Sequence, residues 1–192
     1  MKKLNLLAVF ALALLALNFN ACKKDNDEET TEETTNNGGT TTDGGSGTTK
    51  TTDQELLEMS TVATGFTWFK NVDTYLDRSA GSGHPQPFLR TRYNATAAAF
   101  LDTDGRVKEG STFADGSLIV KELINADKSV ARYAILYKKS DHADADDKGW
   151  VWGYVDPDGT VASAASNKGG SCIGCHTQGG NIDYMLMNKF YP

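Results

Sequence analysis

Residues 171–180 read SCIGCHTQGG, which places Cys172 and Cys175 three positions apart with His176 directly after. That order suits covalent haem attachment. The two thiols add to the two vinyl groups of the macrocycle, and a three-residue step lets one turn of chain span them. The adjoining histidine then swings beneath the ring to coordinate iron. Competing chemistries lack ligands or context. A structural zinc site takes four ligands, and only His84 and His142 remain to join these three. A thioredoxin-like dithiol belongs at a helix start after a strand and needs no histidine there. Three cysteines occur in the whole chain, so the pair 172 and 175 is not part of a larger disulfide framework.

Only sixteen residues follow His176. Small electron-transfer cytochromes carry the attachment site near the start, with a methionine ligand far downstream. Here Met185 and Met187 lie nine and eleven residues on, within IDYMLMNKF, which reads as a packed final segment. A residue so near the proximal histidine hardly reaches the opposite side of the ring. The sixth coordination position is therefore expected to be open, and a haem held in that way binds or transforms a small molecule.

The elements that must position this motif come before it. After Asp115-Gly116, the stretches SLIVKELI, SVARYAILYKKS and GWVWGYV are rich in β-branched and aromatic residues, with turn residues between them. The third ends at the turn DPDG, and TVASA reads as its hairpin partner. PFLRTRY reads as a further strand, ATAAAFL as a short helix, and DTDGRVKEG as turns. Apolar residues at 56, 59, 62, 66, 69, 72 and 76 follow helical spacing, and Thr52 with Glu55 fits a capping box at its start. The expected class is α+β: an antiparallel sheet with flanking helices, forming one haem c domain over residues 53–192.

The first 52 residues are of another kind. Met1, Lys2 and Lys3 precede the apolar run LNLLAVFALALLAL, which is of signal-peptide length and too short for a spanning helix. Ala21 and Cys22 then match a lipoprotein junction, so residues 1–21 are expected to be a signal peptide and Cys22 to carry the lipid. Residues 22–52 hold no aliphatic or aromatic side chain after Cys22 and are expected to form a disordered acidic, Thr/Gly-rich tether. Its acidic, lysine-led start resembles export signals of surface lipoproteins. The expected place is the cell envelope, on an outer membrane, at its periplasmic side or the cell surface, held by the lipid anchor alone. The net charge of −6 excludes a basic nucleic-acid surface.

Five stretches, PFLRTRY, FADGSLIVKEL, GWVWGYVDPDG, CIGCH and DYMLMNKFYP, together resemble the cytochrome P-460 family over roughly residues 85–192. The resemblance implies a single haem c with His176 as its only protein axial ligand, in a fold that is usually dimeric. It implies oxidation of hydroxylamine and binding of nitric oxide, with electrons passed to a redox partner protein. In the family a lysine is joined to the porphyrin, and that lysine falls on Lys121. The related beta-type cytochromes c′ lack the cross-link and bind gases in an apolar pocket, which keeps a non-catalytic nitric oxide or carbon monoxide binder, and a plain electron carrier, as alternatives.

Lys121 has its own reading. Alternate strand residues share a face, so Ile119, Lys121 and Leu123 line up. Either the ammonium snorkels to water from an edge or it stands in the pocket, where desolvation favours the neutral amine. Arg90 matches the family's arginine and could meet a haem propionate or the open iron site, with Arg92 as the rival on the same strand face. Tyr137 falls where hydroxylamine-oxidising members carry an acid, and a phenol is a poor base at neutral pH; Asp141 and His142 are the nearby substitutes. DTDG and DADADD resemble fragments of calcium loops but lack the closing glutamate.

Overall fold

The computed structural model describes residues 50–192; the expected signal peptide, Cys22 and nearly all of the expected tether lie outside the described residues. The class is α+β, with an open antiparallel sheet of seven strands and a few short helices. In chain order the elements are α1 (Thr52–Thr61), β1 (Phe66–Trp68), β2 (Leu76–Asp77), β3 (Phe88–Asn94) and α2 (Ala95–Ala98). There follow β4 (Leu118–Ile124), β5 (Val130–Lys138), β6 (Trp150–Val155), β7 (Val161–Ser163), α3 (Gly170–His176) and α4 (Met187–Phe190). The sheet runs β1-β3-β4-β5-β6-β7, with β2 also pairing with β3.

The strands after residue 115 form where β-branched and aromatic residues predict them, and DPDG joins β6 to β7. The N-terminal helix is shorter than its spacing suggests. It stops at Thr61, and Phe66, Phe69 and Leu76 belong to β1, a 3₁₀ turn and β2. The run Thr61, Val62, Ala63, Thr64 is poor helix material, and Gly65 then takes a φ of 83°, which breaks the helical path. The capping box also sits one residue earlier: Thr51 accepts from the Gln54 amide, and the Gln54 side chain accepts from the Thr51 amide.

Alternation gives the central strands two unlike faces. From one face Leu118, Val120, Ile135 and Val151 pack with Leu56 of α1. Gly153 permits this approach, since a Cβ there would stand 2.9 Å from Leu56 Cδ1. From the other face Ile119, Leu123, Leu136, Trp150 and Trp152 build a larger core with Phe113, Tyr184, Met185 and Met187, against which Cys172 and Ile173 of α3 pack. The haem-attachment motif thus lies on the second face, called the motif face below.

Candidate haem site

The motif lies on a helix, and that gathers its two cysteines and histidine. Within α3, Cys172, Cys175 and His176 occupy positions i, i+3 and i+4, which are neighbours on one helical surface. The helix is seated by Gly169, whose φ of 72° starts it, and a Cβ at that position would stand 2.6 Å from Trp152 Nε1. The Cys172 side chain is half-buried and that of Cys175 is exposed.

His176 closes the helix against the sheet. Its ring meets Trp152 edge-on, with centroids 5.2 Å apart and planes at 87°. Its Nδ1 lies 2.8 Å from the Tyr184 carbonyl oxygen. A carbonyl only accepts, so Nδ1 carries the proton and Nε2 keeps the lone pair that a metal takes. Burial, and then the charge of Lys121, lower the imidazole pKa to about 4, against the weaker opposing pull of the Tyr184 carbonyl, so the ring is neutral, the ligating form. The residues present therefore fit a haem c: two thiols and an oriented neutral imidazole on one helical surface.

The turn that supplies the carbonyl is held from below. Asp183 and Tyr184 both adopt positive φ, 46° and 72°, a conformation that non-glycine residues adopt only when their surroundings enforce it. The Asp183 carboxylate accepts from the Phe113 amide at 3.0 Å, from Trp150 Nε1 at 3.2 Å and from Lys138 Nζ at 3.5 Å. Asp146 likewise accepts from Trp152 Nε1 at 2.8 Å and fixes the indole that His176 leans on. Neither acid stood out in sequence reasoning. The signal for Asp183 is a single acid inside the apolar segment NIDYMLM.

Strand register sets the rest. Thr91, Lys121, Ala134 and Tyr154 form one row across the motif face, and Tyr93, Ile119, Leu136 and Trp152 form the next. Lys121 stands beside the small Ala134, and burial brings its pKa down to about 8. Its row ends at Tyr154, which His84 meets, and adjoins the row that holds Trp152, on which His176 leans, so all three residues belong to the motif face. Lys121 and the attachment helix are thus brought together.

Two candidates are not. Arg90 pairs across the sheet with Glu122, one residue beyond Lys121, and that single step turns it to the α1 face. There Arg90 Nε lies 2.5 Å from Glu122 Oε2, and the guanidinium covers the Trp68 ring. Arg92 is on the same side, buried, donating to the carbonyls of Ser60 and Val62. Tyr137 pairs with Leu118 and also faces α1, lining a cavity of about 420 Å³ together with Leu56, Met59 and His142. Asp141 is exposed and paired with Lys139. Placing Arg90 and Tyr137 at the reacting face is therefore corrected: odd and even strand positions point opposite ways.

His84 is brought in by the loop before β3. Its Nδ1 lies 3.2 Å from the Tyr154 hydroxyl, and Arg132 covers the Tyr154 ring while paired with Asp156. Burial, then the charges of Lys121, His176 and Arg132, lower the His84 pKa to about 3.

No curated protein and no solved structure matches the chain. The family model for cytochrome P460 matches residues 103–187, a segment that contains Lys121, Cys172, Cys175 and His176 and leaves out Arg90 and His84. The resemblance read from the motifs thus meets an independent match over that segment, which spans less than half of the chain, and there the chain is similar to cytochrome P460.

Proposed function

We propose that this chain is an exported, lipid-anchored haem c oxidoreductase acting on a small nitrogen species, hydroxylamine or nitric oxide, which it holds opposite His176. The observation that carries the reading is the His176 ring itself: Nδ1 is engaged by the Tyr184 carbonyl and Nε2 is left for a metal. When bound, the haem supplies a redox-active, electrophilic centre for the ligand. Cys172 and Cys175 supply the thiols for covalent attachment. His176 orients the proximal side, and Trp152 and Tyr184 exclude water from it. Lys121 supplies an amine on the same face, partly neutral near pH 8, for a link to the ring. Electrons pass to a partner protein. The apolar run before Cys22 and the net acidic composition after it, free of aliphatic and aromatic side chains, support a lipid anchor at Cys22 and a tether reaching from an outer membrane. The protein acts as a homodimer, as the resemblance implies.

One observation favours a second reading, a nitric oxide or carbon monoxide binder without turnover. Proton removal from hydroxylamine asks for a base, and the acid nearest Lys121 in the strand, Glu122, faces away and is held by Arg90. Steady-state assay of the haem-loaded protein with hydroxylamine and an electron acceptor separates the two. Acceptor reduction well above that of free haem supports the oxidoreductase, and none above it leaves the binder. A haem-peptide mass map tests attachment: mass addition on the peptide of residues 172–176 is expected, and unmodified thiols overturn both readings.

A further inference from the structure

The loop Gly81–Pro87 carries a histidine that neither the family match nor the motif accounts for. His84 is tied to the motif face by a single contact, Nδ1 to the Tyr154 hydroxyl at 3.2 Å, with tilted rings 5.7 Å apart. Tyr154 and Trp152 are two residues apart on the same face of β6, roughly 7 Å along the strand. His176 rests on Trp152 and His84 on Tyr154, so the two imidazoles flank one stretch of the face, with Lys121 and Ala134 in the same row as Tyr154.

The direction of the Tyr154 contact decides what His84 presents. A phenol is a stronger hydrogen-bond donor than a neutral imidazole N–H, and the pyridine-type imidazole nitrogen accepts better than a phenol oxygen. Arg132, whose guanidinium carbon lies 4.6 Å from the Tyr154 ring centroid, strengthens the phenol as a donor further. Tyr154 therefore donates to Nδ1. A neutral imidazole has one N–H and one lone pair, so Nε2 then carries the hydrogen. In that tautomer His84 offers a donor and no lone pair for iron.

We propose that His84 Nε2–H is a hydrogen-bond donor to a small ligand held opposite His176, on a stretch of the motif face that also carries Lys121, Ala134 and aromatic rings. The proposal rests on the haem reading above. The ligand class it selects is a diatomic or small nitrogen species with a basic outer atom, which the donor holds at the cost of its apolar rivals.

The test uses the haem-loaded protein, with carbon monoxide as the probe of the reduced state. A donor near the bound probe lowers its stretching frequency. His84→Leu is expected to raise that frequency, and His84→Gln, which keeps an N–H donor, to bring it back toward the native value. Nitric oxide is expected to leave His84→Leu about tenfold faster, the effect of one lost hydrogen bond. The ferric protein is expected to be high-spin with His84 present or absent. An unchanged frequency in both variants overturns the proposal. So does a low-spin native spectrum that becomes high-spin in His84→Leu, which would make His84 a ligand. Colourless protein overturns the haem reading itself, and this inference with it; coloured protein with unchanged frequencies overturns the inference alone.

Discussion

The His176 ring and the Tyr184 backbone are joined at 2.8 Å, and Tyr184 is held in a left-handed conformation next to Asp183, whose carboxylate gathers three donors from three other parts of the chain. The His176 imidazole is thus oriented by a turn that the sheet and the loop after Val107 together enforce. Asp183 acts on His176 only through Tyr184. Asp183→Ala leaves Lys138 buried without its acid and is expected to destabilise the protein by about 3–5 kcal/mol. Asp183→Asn, which keeps an acceptor, is expected to fold and to bind haem with a weakened proximal bond. Thermal unfolding and the iron–histidine stretching band check the two effects separately, and an unshifted band in Asp183→Asn refutes the positioning role.

Arg90 and Glu122 are predicted to matter for stability and not for the haem. Glu122→Ala removes the acid shared by Arg90 and the buried Arg92 and is expected to cost about 3 kcal/mol or more. Arg90→Ala is expected to leave the haem spectrum and ligand affinity unchanged, with a modest loss of stability. A shift in the spectrum of Arg90→Ala would place the arginine on the motif face after all.

Tyr137 lies across the sheet from the proposed site, so an acid there cannot reach a ligand opposite His176. Tyr137→Glu is expected to give hydroxylamine turnover equal to that of the native protein. Increased turnover in that variant would contradict the face assignment.

Lys121 has a lowered pKa, so below about pH 8 the folded protein holds a charge that burial penalises. Removing it in protein that has not formed a link to the ring is expected to stabilise: Lys121→Met should raise stability at pH 7 by about 1–3 kcal/mol. Above pH 10.5 the gain should vanish, because the lysine is then neutral in both folded and unfolded states. Chemical denaturation at several pH values measures this, and equal stability at pH 7 would show Lys121 reaching water.

His84 gives a dependence of the same sign in a more acidic range. Its folded pKa of about 3 lies below its ordinary value, so its contribution is complete above about pH 6.5. As pH falls below 6.5 the unfolded chain takes a proton that the folded chain refuses, and stability declines by up to about 1.4 kcal/mol per unit until the folded pKa is passed. His84→Gln should flatten that part of the stability profile between pH 6.5 and 4. Parallel profiles for the two proteins would show that His84 is not enclosed.

The order Cys172, Cys175, His176 points to haem attachment without reference to the fold, because spacing along one turn of chain is a local property. The same holds for β4, β5 and β6, whose β-branched runs and turn residues are local preferences that the sheet satisfies. Periodicity misled only where a local breaker, Gly65, outweighed it and ended the helix at Thr61. What the tertiary structure alone decided is which side of the sheet each residue serves. Arg90 and Lys121 differ by one step in register, and Tyr137 by one step from Leu136, yet those steps separate the α1 face from the motif face. The grip of Asp183 and Tyr184 on His176, and the meeting of His84 with Tyr154 seventy residues later, arise from chain segments that only packing brings together, and no local pattern encodes them.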